Sequence, residues 1–285
     1  MDLELFRSLW GRPNHTAADW AHCAAECREY GFVGVEARLP IDLSGCRALA
    51  AALANEDLGY IAVVFTGGDV IPDQAWDPAQ HLACLAGAIE RARDTGARFI
   101  NVLAGNDRWP LAQQVDFFGR AQALADDAGM ICSFETHRAT SLYSPWVTLE
   151  LIAQVSHLRF TADLSHWVVV AERLLDHPCD DLTPFLSRVH HVQARVGYDQ
   201  GPQVPHPAAP EYAAALAWHQ AQWQTIWATQ RAAGRAVTTV TPEFGPDGYT
   251  HLLPFTCAPV ADVWDLNRWM AKATRDQFAA WSLKP

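Results

Sequence analysis

The chain has 285 residues, 50% of them hydrophobic, and a formal net charge of −11 at pH 7. This charge argues against binding to nucleic acid or to an anionic membrane surface, where Lys and Arg must neutralise phosphates. No apolar run approaches the roughly 18 residues that a membrane-spanning helix needs, and the N-terminal residues lack the apolar core of a secretory signal. The seven cysteines are scattered singly, so we expect a soluble protein of the reducing cytoplasm.

Short runs of β-forming residues recur along the chain, mostly starting about 30 residues apart, the length of a strand and its crossover helix. They are LELFRSLW (3–10), FVGVEAR (32–38), YIAVVFTG (60–67), FINVLAG (99–105), ICSFETH (131–137), RFTADLS (159–165), VHHVQAR (189–195) and AVTTVTPEF (236–244). Helical patterns lie between them. Thr16 and Gly31 are the expected start and stop of the first helix, and Asp77 and Gly96 those of a later one.

Eight such units in one chain predict an α/β protein, a single (β/α)8 TIM barrel spanning residues 1–285. A doubly wound open sheet would instead carry a glycine-rich G-x-G-x-x-G turn after the first strand, and none is present. Long loops rich in Gly and Pro follow the fifth, seventh and eighth strands, whereas the returns from helix to strand are short. Such loops thicken the C-terminal face of a barrel, where active sites lie.

Polar side chains collect at the ends of the last four strands. They are Glu135 and His137 in the fifth, Asp163 and the following His166 in the sixth, His191, Gln193 and Arg195 in the seventh, and Glu243 in the eighth. Side chains two apart on a strand share a face, and these four strand ends form one arc of the rim. Three carboxylates in one small volume cannot all stay ionised without a compensating cation. A divalent metal ion is the simplest such cation.

The predicted metal ligands are Glu135, Asp163 and Glu243, with Gln193 adding a neutral carbonyl oxygen. Four oxygen donors favour Mn2+ or Mg2+, and Co2+ or Zn2+ are alternatives if a nearby histidine also reaches the ion. Arg195 carries a fixed positive charge and cannot ligate a metal. We predict that it holds an anionic oxygen of the substrate.

The motifs FETHR, ADLSHW, HVQARVG followed by GPQV, and TPEFGP resemble the strand-end motifs of the xylose isomerase-like TIM barrels. This superfamily of sugar phosphate isomerases and epimerases includes tagatose epimerase and hydroxypyruvate isomerase. The resemblance implies one divalent metal held by residues from strands 5 to 8, which correspond to the four ligands above. It also implies a sugar or keto-sugar substrate and a possible homodimer. Many members have His where this chain has Gln193.

The resemblance further implies a reaction by proton transfer. In this hypothesis the metal acidifies a C–H beside a carbonyl, and Glu135 or Glu243 removes the proton. The other glutamate returns a proton, so that the substrate passes through a cis-enediolate and is isomerised or epimerised. Arg195 and His166 would stabilise the enediolate.

Two other residues are candidates for the pocket. Trp10, at the end of the first strand, would form a wall against a sugar unless it belongs to the core. His137 would contact substrate or support the site from behind, and Glu36, at the end of the second strand, is not assigned to the site. A metal-dependent dehydratase or lyase on the same barrel would use the same ligands, and a catalytically silent sugar-binding barrel would keep them without turnover.

Overall fold

The computed structural model describes residues 1–12 and 16–283. Its strands are β1 (Asp2–Ser8), β2 (Gly34–Arg38), β3 (Gly59–Phe65), β4 (Phe99–Leu103), β5 (Cys132–Glu135), β6 (Arg159–Ala162), β7 (Val189–Ala194) and β8 (Val237–Pro242). They form a closed parallel barrel in sequence order, in which β8 pairs with β1. Each predicted run overlaps one strand, and the predicted (β/α)8 TIM barrel is confirmed.

Helices lie between the strands and after the last of them. They are α1 (Ala17–Tyr30), α2 (Leu43–Asn55), α3 (Pro78–Arg93), α4 (Leu111–Ala128), α5 (Pro145–Gln154), α6 (Ser165–Ala171), α7 (Thr183–Leu186), α8 (Ala213–Ala232) and α9 (Val263–Ser282). Among the described residues, none of these helices is long and apolar enough to cross a membrane.

The first helix has the bounds that its sequence predicts. The Thr16 side chain accepts a hydrogen bond from the backbone N–H of Asp19 in a capping box, and Gly31 ends the helix with φ 70°. One face of α1 packs against the barrel. Its buried residues are Trp20, Cys23, Ala24 and Cys27.

The third helix ends earlier than its sequence predicts. Asp77 caps its start as expected, but the last helical residue is Arg93 rather than the residue before Gly96. The hydroxyl of Thr95 donates to the carbonyl of Ala92 at 2.7 Å, which closes the last turn with a side chain. Gly96, with φ 69°, therefore serves the turn toward β4 and does not cap the helix.

The inside of the barrel is apolar at the N-terminal end and polar at the C-terminal end. Phe6, Ile61 and Phe99 are buried and pack together with Ile131. Ile61 pairs in register with both Glu36 and Phe99, so the polar side chains begin next to this apolar layer. The functional groups of the barrel therefore face its C-terminal mouth.

Candidate metal centre and active site

Three carboxylates converge at the C-terminal end of the barrel. Glu135 ends β5, Asp163 follows β6 and Glu243 follows β8. One oxygen of each lies within 4.8 Å of the other two. The side chains of Asp163 and Glu243 are 0% and 14% exposed, and Glu135 is buried. Residues from three separate segments, predicted as metal ligands, thus surround one small volume.

Burial raises the pKa of each of these carboxyl groups. For Glu135 and Glu243 the neighbouring carboxylates add to burial, and the pKa of both lies well above the ordinary value. Burial also raises the pKa of Asp163, although Arg195 and Ser165 oppose it. A bound divalent cation would favour the ionised forms and remove this cost.

Gln193 of β7 offers a further oxygen at the same place. Its Nε2 donates to Glu243 Oε1 at 2.9 Å and to Glu36 Oε1 at 3.2 Å. Its Oε1 is buried and has no hydrogen-bond partner among the described residues. A buried acceptor without a donor is costly, and a neutral carbonyl oxygen is a ligand that hard cations use. These residues therefore fit a divalent metal bound through oxygens of Glu135, Asp163, Gln193 and Glu243.

Glu36, which the sequence did not assign to the site, connects the two glutamates from below. Its Oε1 accepts hydrogen bonds from Asn101 Nδ2 at 2.9 Å and from Gln193 Nε2 at 3.2 Å. Asn101 Nδ2 also donates to Glu135 Oε2 at 2.7 Å, as Gln193 does to Glu243. Each glutamate thus has one oxygen held by an amide, and Glu36 holds both amides. We call Glu36 with Asn101 and Gln193 the amide bridge.

His191 supports the amide bridge from the other side. Its Nε2 lies 3.3 Å from Glu36 Oε2 and 3.1 Å from Thr241 Oγ1, and its Nδ1 lies 2.8 Å from Thr239 Oγ1. Burial alone would raise the pKa of Glu36, but the charge of His191 and hydrogen bonds from His191, Thr241 and Asn101 lower it overall. Both ring nitrogens are engaged, so His191 lies outside the donor set of the candidate metal.

Arg195 lies among the carboxylates. Its Nη2 forms a buried ion pair with Asp163 Oδ2 and lies 3.8 Å from Glu243 Oε2, and its Nε donates to Ser165 Oγ at 3.1 Å. Burial would lower the pKa of Arg195, but the charges of Asp163 and Glu243 raise it. The guanidinium is therefore a fixed countercharge to Asp163. Arg195 also lines the cavity above the site, and its contact with a substrate oxygen stays a prediction.

Two stacked histidines lie beside Arg195, with ring centroids 3.9 Å apart. His166 Nε2 accepts a hydrogen bond from Arg195 at 2.8 Å, and His137 Nδ1 donates to the carbonyl of Arg138 at 2.6 Å. Burial lowers the pKa of His137 to about 3 and that of His166 well below its ordinary value, so both are neutral near pH 7. His137 lines the cavity. His166 is 0% exposed behind it, and this geometry favours support of Arg195 over the predicted substrate contact.

A cavity of about 750 Å³ opens above these groups. Trp10 and Tyr249 form part of its wall with their rings edge to face, 5.1 Å between centroids, and Trp10 Nε1 donates to Asp247 Oδ2 at 2.7 Å. Gly245 makes room for Trp10, because a Cβ there would come within 2.0 Å of the ring. Trp10 thus lies in the pocket wall. The sequence did not single out Tyr249 or Asp247.

Two buried amide side chains hold the backbone that follows Glu243. Asn267 of α9 accepts from the Phe244 N–H at 2.7 Å and donates to the Phe244 carbonyl at 2.8 Å. Gln203 accepts from the Gly245 N–H at 2.8 Å and donates to the Gly245 carbonyl at 3.2 Å. The glutamine of the GPQV motif therefore ties the loop after β7 to the loop after β8, at the point where Glu243 enters the site.

Residues 24–247 match the family model described as xylose isomerase-like TIM barrel. The chain belongs to this family. Comparison with curated proteins gives no significant match. Solved structures with the same fold include L-ribulose 3-epimerase, at TM-score 0.62 and 14% identity over 100% of both chains.

Two further structures show the range of the xylose isomerase-like fold. A xylose isomerase-like TIM barrel protein from Mycobacterium smegmatis in complex with magnesium has TM-score 0.62 and 14% identity, covering 96% of this chain and 97% of its own. The probable 3-DHS dehydratase AsbF from Bacillus anthracis has TM-score 0.60 and 16% identity, covering 96% and 99%. At such identities the likeness shows the fold alone.

Proposed function

We propose that this xylose isomerase-like barrel is a divalent-metal-dependent isomerase or epimerase of a sugar or small keto-sugar. The observation that carries this proposal is the placement of Glu135 and Glu243. Both line one cavity, and carboxylate oxygens of the two lie within 4.8 Å of each other. Two carboxyl groups so placed can serve as base and acid toward one carbon or two neighbouring carbons of a bound molecule.

The donor set supports a resident cation. Oxygens of Glu135, Asp163, Gln193 and Glu243 would hold it, and an all-oxygen set favours Mn2+ or Mg2+ over Co2+ or Zn2+. Solved structures of the same fold hold different ions, magnesium in the Mycobacterium smegmatis protein and zinc in IolI, so the choice of ion rests on the donor set. When bound, the ion would polarise a substrate carbonyl and acidify the adjacent C–H.

The protein's own groups would carry the proton. Each glutamate would keep one oxygen on the ion and use the other to accept a proton from the substrate carbon or to return one, and the amide bridge fixes the orientation of both carboxylates. Arg195, which lines the cavity, can donate an N–H to the oxygen on which negative charge develops. Neutral His137 and the ring of Trp10 would orient the sugar, because aromatic rings suit its apolar C–H faces.

Solvent exchange tests the proposal. Protein loaded with Mn2+ should incorporate deuterium from heavy water at a carbon of at least one compound in a screen of keto-sugars and hydroxypyruvate. Glu135→Gln and Glu243→Gln should each abolish uptake, because the amide cannot accept the proton. Glu150→Gln, at an exposed position of α5, is the matched control and should leave uptake unchanged. Uptake at the native rate in both site variants would refute the assignment.

The same screen separates the alternatives. A dehydratase or lyase would release a product that has lost water or a carbon fragment. A silent sugar-binding barrel would bind metal and sugar without exchanging any C–H proton. Metal analysis of the purified protein, run in parallel, would show which ion the site retains.

We also propose a cytoplasmic location. All seven cysteines are unpaired in the structure, as is usual in a reducing compartment. The homodimer stays a prediction.

A further inference from the structure

The cavity has two chemically different sides. The side formed by β5, β7 and β8 carries Glu135, Arg195 and Glu243. The opposite side, from β3, the loop after it and β4, presents apolar side chains. We call this set the apolar wall: Val63, Phe65, Val70, Ile71 and Leu103.

The cavity is larger than a monosaccharide requires. A hexose has twelve non-hydrogen atoms, and at the roughly 30 Å³ that one water molecule takes in the liquid it would fill about half of the space. The cavity measures about 750 Å³. A sugar held at Glu135 and Glu243 would thus leave the space along the apolar wall to another group.

The apolar wall is unsuited to a second sugar ring. Hydroxyl groups need hydrogen-bond partners when they leave water, and these five side chains offer none. Ile71 and Val70 are 60% and 38% exposed. Large apolar side chains that stay exposed at the lip of a cleft commonly mark a ligand-binding surface. Arg38 and Asp69 also line this side of the cavity, but they pair with each other at 3.4 Å, and Arg38 lies 4.8 Å from the Phe65 ring centroid and donates to the Gly68 carbonyl at 3.1 Å. What fits against this wall is an apolar group.

We propose that the substrate is a sugar or keto-sugar that carries an apolar substituent, such as an aryl or alkyl aglycone, which binds on the apolar wall while the sugar lies at the carboxylates. This inference rests on the proposed function for the sugar end and adds the class of substrate. Val70 and Ile71 are then specificity-determining residues, because they cover the substituent from the loop after β3.

Calorimetric titration of the Mn2+-loaded protein with matched glycosides tests this inference. The probes are methyl and phenyl β-D-glycosides of glucose, galactose and xylose, which differ only in the substituent. For at least one sugar the phenyl glycoside should bind about tenfold more tightly, as burial of part of a ring predicts. The double variant Val70→Ser/Ile71→Ser should reduce that preference to less than threefold and leave methyl glycoside binding unchanged.

Leu253→Ser is the control. Leu253 is 50% exposed on the loop after β8 and is not among the described residues that line the cavity, so its replacement should keep the phenyl preference. Equal binding of phenyl and methyl glycosides for all three sugars, or no binding of any phenyl glycoside, would overturn the inference. So would a loss of preference in Leu253→Ser as large as in the double variant.

Failure of this inference is separable from failure of the proposed function. Binding of glycosides does not require proton transfer, so the phenyl preference of the native protein can be measured whether or not deuterium is taken up. A phenyl preference that depends on Val70 and Ile71, together with no deuterium uptake from any sugar, would keep the apolar wall and reject the isomerase. Deuterium uptake without a phenyl preference would keep the isomerase and reject the apolar wall as a binding site for a substituent.

Discussion

Glu36→Gln tests whether the amide bridge holds the site. In the native protein the Glu36 carboxylate accepts hydrogen bonds from Asn101 Nδ2 at 2.9 Å and from Gln193 Nε2 at 3.2 Å. It also lies 3.3 Å from Nε2 of the His191 ring. A glutamine of the same shape has one acceptor oxygen and one N–H2 group. The oxygen can still accept from both amides, but the N–H2 group then faces His191 Nε2, which can accept that hydrogen bond only as a neutral ring protonated at Nδ1.

The size of the effect follows from these contacts. A hydrogen bond to a charged group contributes about 1.5–3 kcal/mol, against about 1 kcal/mol between neutral groups. Changing both amide bonds from charged to neutral should lower the free energy of unfolding by about 2–3 kcal/mol. Asn101 and Gln193 would also hold Glu135 and Glu243 less firmly, and support of this kind is worth about 10- to 100-fold in metal affinity.

Urea denaturation would measure the free energy of unfolding, and titration of metal-free protein with Mn2+ would measure the Kd. Glu90→Gln removes the same charge from an exposed position of α3 and should change neither quantity. A Glu36→Gln protein with native Kd and native stability would refute the reasoning. A loss of stability with unchanged Kd would show that Glu36 stabilises the barrel without positioning the glutamates.

Three other substitutions probe separate parts of the molecule. Gln203→Ala removes both hydrogen bonds to Gly245 and should lower the free energy of unfolding, measured by urea denaturation, by about 2 kcal/mol. The kcat should fall about tenfold while KM stays within twofold. An equal change in KM would contradict a positioning role. Gly245→Ala should displace Trp10 and weaken sugar binding in calorimetry without changing Mn2+ affinity, and native sugar binding would exclude Trp10 from the pocket. Burial lowers the pKa of His219 to about 4 from an ordinary 6.5, so the unfolded chain takes up a proton that the native chain excludes. Stability is therefore full above pH 6.5 and falls by about 3 kcal/mol on going to pH 4. His219→Gln should remove that component from a pH series of urea denaturation, and an unchanged slope would assign it to other groups.

The barrel and its ligand cluster follow from local features of the sequence. Strand positions are visible because a strand buried on both faces reads as an unbroken apolar run, as YIAVVF of β3 does. The carboxylates could be grouped because the ends of neighbouring barrel strands must lie close together, whatever the loops do. Trp10 could be placed at the mouth for the same reason.

The contacts that hold the site residues in place could not be predicted from the sequence in this way. The hydrogen bond between Glu36 and Gln193 joins positions 157 apart in sequence, and it exists only because the closed barrel brings their side chains to one level of its interior. Asn101 left a weak signal, as a lone amide in an apolar strand. The position of His166 depends on α6 starting at Ser165, two residues after Asp163, which turns the ring inward. No periodicity in ADLSHW indicates that.

The bond between Gln203 and Gly245 has a consequence for protein engineering. It links the bases of two long loops to each other, so the two loops must be exchanged together. Exchanging only one of them with a homologous barrel would leave a buried amide facing a foreign backbone. Transplanting both together would preserve the joint, and chimaeras made in pairs should fold where single exchanges do not.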